Sequence, residues 1–295
     1  MDSEAAPTPE TLVAQLRALL DIEAIDTDLY RGPRKPGGRG RVFGGQVIAQ
    51  ALVAAMRSVG EGRTAHSLHA YFMRPGDETL PIVYRVVRDF EGRSFATRRV
   101  IAMQRGEPIL NMAASFQRPE EGLAHQVAMP DVPAPESLTP DRDLLERDRA
   151  GIPDELIHFL LQPRPIEIRS VDPRSLLHPE KRPPYSAGWF RVVAPLGDDP
   201  DLHRAVLAYA SDMIMLGTSM LPHGVSVVKD KMQNASLDHA VWLHEPFRFD
   251  DWLLFTTDSP WSGHARGFNR GQIFSRDGRL VASVAQEGLI RHRPG

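Results

Sequence analysis

The chain has 295 residues, 42% of them apolar and 25% charged, so it can bury a large core and is long enough for two ordinary domains. A net charge of −3 and a pI near 6.4 exclude the global positive field that draws proteins to nucleic acid. The absence of cysteine excludes disulfides, thiolate nucleophiles and cysteine-ligated zinc.

The sequence also lacks the signals of membrane insertion and metal binding. No run approaches the roughly 18 consecutive apolar residues of a membrane span. The acidic start at 1–4 (MDSE) is unlike a secretory signal, and the eleven histidines show no ligand spacing such as HExxH. We therefore expect a cytoplasmic protein with no membrane span, no nucleic-acid partner, no metal and no cofactor.

The first predicted elements are a helix and a set of strands. Gly44 and Gly45 open an apolar helical run from Gln46 to Met56. Strands of alternating character follow, separated by turn residues. Their predicted ranges are Leu80 to Val87, Ser94 to Met103 and Leu110 to Phe116.

A proline-rich stretch then interrupts the pattern, since 13 of the 25 prolines fall between Pro130 and Pro200. Proline cannot donate to a strand ladder, so this stretch indicates a connector. Beyond it Asp199-Pro200 opens a second apolar run, Leu202 to Leu216, and strands follow again. We predict an N-terminal domain at 1–129, a connector at 130–165 and a C-terminal domain at 166–295.

The two halves are similar in sequence. Landmark residues match at nearly constant offsets: Ser67 to Ser236 is 169, Ala70 to Ala240 is 170, Pro75 to Pro246 is 171 and Gln117 to Gln286 is 169. A period this long indicates a duplicated domain rather than a solenoid. A helix that is apolar on nearly every face must be covered all round, and an antiparallel sheet curled about it does so. The predicted class is α+β, with two tandem sheets each wrapped around a long apolar helix; two unrelated α+β domains would not share these spacings.

One carboxylate stands out. Asp212 lies in the apolar run of the second copy, and burying a carboxylate costs several kcal/mol unless it is paired or hydrogen-bonded. Such a group is a candidate base; the alternative is a helix that ends near Asp212 and leaves the acid in solvent. The first copy offers Gln46 and Gln50 instead, which cannot act as bases, so it is predicted to be a scaffold.

Motifs in both halves resemble the type II acyl-CoA thioesterases, the TesB-like double-hotdog family. In the second half they are YASD at 209–212, ASLDH at 235–239, ARGFNRGQ at 265–272 and VASVAQEG at 281–288. In the first half they are FGGQ at 43–46 and RPGD at 74–77. The resemblance covers nearly the whole chain outside the connector.

The resemblance implies hydrolysis of acyl-CoA to free fatty acid and coenzyme A, with Asp212, Ser236 and Gln286 as the catalytic residues. The family more often has threonine where this chain has Ser236. A carboxylate can take a proton from water while the hydroxyl and amide orient that water. Without the resemblance, a serine that bonds local backbone is the preferred interpretation of Ser236, and Gln286 could be an ordinary sheet-face amide. The resemblance also implies assembly into a homodimer or homotetramer.

Other substrate contacts are less specific. The backbone N–H groups of Gly44 and Gly45 are candidate oxyanion donors because they precede a helix, although paired glycines also make tight turns. A basic loop with Arg31, Arg34, Lys35, Arg39 and Arg41 could meet coenzyme A phosphates, but a solvated loop is the simpler interpretation. Chain-length preference would depend on pocket residues such as Met213, Met215, Trp242 and Phe274.

Two alternatives stay open. Asp198 and His203 form a D-x4-H spacing that resembles hotdog enoyl-CoA hydratases, but the Asn-Pro of that motif is absent and Asp199-Pro200 is typical of a helix cap. The other alternative is a non-catalytic module that binds acyl-CoA. Retention of Asp212, Ser236 and Gln286 together favours activity.

Overall fold

The computed structural model describes residues 6–35, 40–230 and 232–293. The N-terminal unit is built from α1 (Pro9–Leu20), β1 (Glu23–Asp26), β2 (Leu29–Gly32), α2 (Gly44–Arg57), β3 (Thr64–Phe72), β4 (Ile82–Glu91), β5 (Phe95–Gln104) and β6 (Glu107–Gln117). The predicted helix and strands of the first copy are confirmed, with bounds that differ by a few residues.

The connector holds two short helices, α3 (Asp141–Arg147) and α4 (Asp154–Leu160), with 3-10 turns at Pro135–Ser137 and Arg149–Gly151. The C-terminal unit is built from β7 (Ile166–Ser170), β8 (Tyr185–Val192), α5 (Pro200–Ser211), α6 (Met215–Thr218), a 3-10 turn (Leu221–His223), β9 (Met232–Ser236), β10 (Asp238–Leu243), β11 (Leu253–Gly263), β12 (Arg266–Ser275) and β13 (Leu280–His292).

Local chemistry explains where α5 begins. The Asp199 carboxylate caps the helix by accepting from the Asp201 N–H at 2.9 Å, and Pro200 occupies the first helical turn. Proline suits this position because its missing N–H would have no intrahelical partner there. The predicted cap is confirmed.

The strands of the described ranges join one sheet of 13, in the order β1-β2-β4-β5-β6-β3-β10-β13-β12-β11-β8-β7, with β9 paired to β13 off this path. The junction between the two units is the antiparallel pair β3 and β10, in which Ala70 faces His239. The two curled sheets are therefore continuous edge to edge, so each unit covers an edge strand of the other.

The long helices α2 and α5 lie inside the curled sheets and pack against each other. Ile48 and Leu52 of α2 and Val206 and Leu207 of α5 are fully buried in one apolar cluster. The chain is thus a double hotdog, as predicted, because each helix is covered by its own sheet and by the other helix. The domain boundaries at 1–129, 130–165 and 166–295 stay a prediction.

One segment of the described residues, Pro200–His223, is long and apolar enough to cross a membrane by length and composition. Of its most apolar window, 61% is buried within the protein, as in the core helix of a folded domain. The segment is also interrupted, because α5 ends at Ser211 and α6 begins only at Met215.

Candidate active site

Asp212 lies at the end of α5 rather than within a continuous helix. The predicted run to Leu216 is wrong in this respect, because Asp212 is the C-terminal cap residue and a turn precedes α6. The Ser211 hydroxyl donates to the Ala208 carbonyl at 3.0 Å. The Met213 N–H donates to the Ala210 carbonyl, three residues back, where an α-helix would bond the carbonyl four residues back. Such local bonds compete with the helix ladder and end it.

The helix end does not leave Asp212 in solvent. Its side chain is only partly exposed, and it points toward the strands β9 and β13. In that pair Ser236 lies opposite Gly288. Gln286 is two residues from Gly288 along β13, so its side chain lies on the same face of the sheet as that of Ser236. The register therefore places a hydroxyl and an amide beside the carboxylate.

The three predicted side chains are within hydrogen-bond distance of one another. Ser236 Oγ donates to Asp212 Oδ1 at 2.9 Å, and Gln286 Nε2 donates to the same oxygen at 2.5 Å. Gln286 Nε2 is also 3.1 Å from Ser236 Oγ. The structure thus brings together Asp212, Ser236 and Gln286; their catalytic role stays a prediction.

Burial raises the pKa of Asp212 to about 6. Hydrogen bonds from Gln286, from Ser236 and from the Gly45 N–H act in the opposite direction, and burial outweighs them. A carboxylate with a pKa near the working pH is mostly ionised at neutrality and is a stronger base than an ordinary aspartate. This combination is suited to taking a proton from water.

Gly44 and Gly45 begin α2 and bring the first unit into the site of the second. A Cβ on Gly44 would lie 2.6 Å from Asp212 Oδ2, and one on Gly45 would lie 2.2 Å from the Tyr209 carbonyl. The N-terminus of α2 carries a partial positive charge, which favours an anion there. Since the Gly45 N–H already bonds the Asp212 carboxylate, it supports the base; the oxyanion role of the two glycines stays a prediction.

Sequence reasoning missed His239 and Ser211. His239 is fully buried, with its Nδ1 3.1 Å from Gln286 Nε2 and its Nε2 2.8 Å from Ser211 Oγ. Both residues lie inside the motifs YASD and ASLDH, next to or near the predicted catalytic residues. That adjacency is the available signal, but the histidines show no metal-ligand spacing and so did not stand out in the sequence.

The matching positions of the first copy have structural contacts. Gln50 Nε2 donates to the Leu19 carbonyl at 2.6 Å, and its Oε1 accepts from Tyr84 at 2.7 Å. Gln46 Nε2 donates to the Pro33 carbonyl at 3.3 Å. These amides tie α2 to α1 and to the neighbouring loop and strand, which fits the predicted scaffold role.

The D-x4-H pair is also engaged elsewhere. Asp198 pairs with Arg248 at 2.7 Å. His203 is buried, with Nε2 2.8 Å from the Gly197 carbonyl and Nδ1 accepting from the Phe249 N–H at 2.9 Å. Because both ring nitrogens hold backbone groups, His203 has no free nitrogen for acid or base chemistry.

The basic loop shows no specific site in its described residues, 31–35 and 40–41. Arg31 pairs with Glu23, and Arg34 donates to the Thr79 carbonyl at 3.1 Å. Lys35 and Arg41 are exposed. Arg39 lies outside the described residues, so contact of this loop with coenzyme A phosphates stays a prediction.

A cavity of about 290 Å³ begins one residue beyond Asp212. Met213 and Ile214 line it on one side, and Ile168 of β7 with Gly188 and Phe190 of β8 line it on the other. The wall is largely apolar at this end.

Of the residues predicted to shape a pocket, Met213 lines this cavity. Met215 is buried in the main core, and Phe274 is buried in a separate apolar cluster. Trp242 packs edge-on against His69, with ring centroids 5.1 Å apart. The last three residues therefore have packing roles, which their positions in the sequence did not reveal.

Comparison with known proteins shows the family of this chain. The family model for "Acyl-CoA thioesterase" matches residues 164–289, and that for "Acyl-CoA thioesterase N-terminal domain" matches residues 31–117. The chain is 42% identical to human acyl-coenzyme A thioesterase 8, over 94% of this chain and 88% of the relative. The chain belongs to the acyl-CoA thioesterase family. This thioesterase is also 40% identical to acyl-CoA thioesterase 2 of Haemophilus influenzae, over 92% of this chain and 96% of that protein.

Solved structures support the same assignment. The thioesterase superposes on the crystal structure of acyl-CoA thioesterase II TesB2 from Mycobacterium marinum with a TM-score of 0.77 and 41% identity, covering 95% of this chain and 99% of that one. A hot dog protein from Alicyclobacillus acidocaldarius matches with a TM-score of 0.76 at 21% identity, which shows the fold alone. The enzyme is a thioester hydrolase that acts on acyl-CoA.

Proposed function

We propose that the thioesterase hydrolyses acyl-CoA with a water activated by Asp212 and held by Ser236 and Gln286. The observation that carries the proposal is the convergence of a hydroxyl at 2.9 Å and an amide at 2.5 Å on one partly exposed carboxylate whose pKa is raised to about 6. Each group has the chemistry that its role requires. Oligomeric state and cellular compartment stay predictions.

The reaction follows from these groups. The Asp212 carboxylate takes a proton from water as the water oxygen attacks the thioester carbonyl carbon. The tetrahedral intermediate then expels the coenzyme A thiolate, and the proton held by Asp212 passes to that sulfur. The products are the free acid and the thiol. Because a thiolate is a good leaving group, no covalent intermediate is required.

The test compares single variants by release of free thiol from a saturated acyl-CoA. Asp212→Asn, Ser236→Ala and Gln286→Ala should each lower kcat by about 10²-fold or more, since each removes a proton acceptor or a positioning group. Gln117→Ala is the matched control, because Gln117 is the first-copy counterpart of Gln286 and should keep wild-type activity. A wild-type rate no higher than that of Asp212→Asn would contradict the proposal and leave only acyl-CoA binding.

The same assay separates the hydratase alternative. Crotonyl-CoA is offered beside a saturated acyl-CoA, and hydration is detected as 3-hydroxybutyryl-CoA by mass spectrometry, since loss of the enoyl absorbance would also follow thioester hydrolysis. We expect thiol release from the saturated substrate. Hydration of crotonyl-CoA while the saturated thioester stays intact would show that the D-x4-H interpretation was correct.

We further propose that the acyl chain enters the 290 Å³ cavity beside Met213 and Ile214. Gly188 offers a test, because a Cβ there would meet neighbouring atoms no closer than 3.5 Å, so alanine fits the strand. Gly188→Ala should narrow the cavity and lower kcat/KM for long chains more than for short ones. An equal effect on all chain lengths would place the chain elsewhere.

A further inference from the structure

His239 connects the end of α5 to the strand that carries Gln286. It lies on β10, fully buried, and its two ring nitrogens contact Gln286 Nε2 at 3.1 Å and Ser211 Oγ at 2.8 Å. Ser211 is adjacent in sequence to Asp212, and Gln286 bonds Asp212 at 2.5 Å. The four residues therefore form a closed ring of covalent and hydrogen bonds.

The donors and acceptors in this ring fix one tautomer. Ser211 Oγ donates its hydrogen to the Ala208 carbonyl at 3.0 Å, so the same oxygen can only accept from His239. His239 Nε2 must then carry the proton, which leaves Nδ1 with a free lone pair. That lone pair faces the Gln286 side chain, and it can be satisfied only by an N–H group.

We propose that His239 is a positioning residue that sets the orientation of the Gln286 amide, so that its NH₂ group rather than its oxygen faces the Asp212 carboxylate. This inference rests on the proposed roles of Asp212 and Gln286. With one N–H on His239 Nδ1 and the other on Asp212 Oδ1, the amide cannot turn without losing both bonds. Ser211 acts through His239 by selecting its tautomer.

The reverse orientation would be costly. It would place Gln286 Oε1 against both the carboxylate and the His239 lone pair, three acceptors with no hydrogen between them. In the observed orientation Oε1 makes no hydrogen bond to any residue in the described ranges, although it is buried.

The proposal needs a neutral imidazole, because an imidazolium would present a donor at Nδ1 and force the amide to turn. Burial lowers the pKa of His239 to about 3. The side chains that bond the ring, Ser211 and Gln286, do not ionise. His239 is thus neutral throughout the pH range in which Asp212 titrates.

The variants are His239→Leu, which removes the acceptor, and His239→Asn, whose Oδ1 lies close to where Nδ1 was and restores it. We expect His239→Leu to lower kcat by about tenfold with little change in KM, as one lost hydrogen bond in the site predicts. The acid limb of its pH profile should move to higher pH, because an amide free to turn stabilises the carboxylate less. His239→Asn should recover most of the wild-type kcat and most of the wild-type pH profile.

Two outcomes would overturn the proposal: full activity with an unchanged pH profile in His239→Leu, or an equal loss in the wild-type and Gln286→Ala backgrounds. The second result would mean that the histidine acts through packing, because residues that act together give non-additive effects. Failure of the proposed function appears separately, as full activity of Asp212→Asn.

A measurement on the wild-type enzyme keeps the proposal testable if the leucine variant does not fold. With ¹⁵N-labelled histidine, NMR distinguishes the tautomers of a buried neutral ring. We expect the His239 proton on Nε2, from pH 5 to 8. A proton on Nδ1, or a charged ring in that range, would contradict the hydrogen-bond assignment.

Discussion

Asp212→Asn removes a partly buried ionisable group at nearly constant size, so it should change how stability depends on pH. Burial raises the pKa of Asp212 to about 6 from its ordinary value of 3.8. Between these values the folded chain holds a proton that the unfolded chain releases, so the free energy of unfolding falls as pH rises from 4 to 6. The full shift lowers the free energy of unfolding by about 3 kcal/mol at pH values above the folded pKa. Below the unfolded pKa both states are protonated, and this loss of stability disappears.

The asparagine also lowers the free energy of unfolding by an amount that does not depend on pH. Its NH₂ group can take the place of the carboxylate oxygen that accepts from the Gly45 N–H, and that hydrogen bond is then lost. The comparison therefore takes the difference in unfolding free energy between variant and wild type at two pH values, because the pH-independent contribution cancels. Relative to wild type, Asp212→Asn should be more stable at about pH 7 than at about pH 4.5 by about 2 kcal/mol. The stability of the variant relative to wild type should therefore rise between about pH 4.5 and pH 7, while its activity is lost.

The assay is urea unfolding of both proteins at the two pH values, with midpoint and slope determined for each. Asp131→Asn, at an exposed position, is the control for the substitution itself and should follow the wild-type curve. Parallel curves for wild type and Asp212→Asn would refute the reasoning, because they would mean that folding does not change the proton affinity of this carboxylate.

Three other predictions follow from single contacts. Log kcat/KM should fall with unit slope as pH drops below about 6, the folded pKa of Asp212, because the base must be ionised; a flat profile from pH 5 to 8 would contradict this. Arg98 is fully buried and donates to Ser58 and to backbone carbonyls, so Arg98→Met should cost about 3 kcal/mol in urea unfolding, against less than about 1 kcal/mol for exposed Arg99→Met. Equal costs would contradict it. Gly45→Ala should destabilise by about 2 kcal/mol because its Cβ would clash with the Tyr209 carbonyl, whereas a Cβ on Gly60 meets only Arg63 Nη1 at 4.0 Å, so Gly60→Ala should be neutral.

Much of the fold could be predicted because its signals are local or repeated. Constant offsets between the halves indicate a duplication, and an apolar run bounded by Asp199-Pro200 predicts where α5 begins. Asp212 could be singled out because a charge in an apolar run is visible without coordinates. Ser236 and Gln286 were selected by family resemblance, since each alone resembles an ordinary sheet residue.

The rest depended on contacts between distant residues. The end of α5 at Ser211 is decided by a side-chain bond that hydropathy does not encode. The register of β9 on β13 places Ser236 beside Gln286, and only the packing of α2 against α5 brings Gly45 to the carboxylate. Sequence therefore determined which groups this thioesterase has and which elements carry them, because propensity and periodicity act over a few residues. Tertiary structure alone decided which donor faces which acceptor, since that is set by strand register and helix packing over dozens of residues.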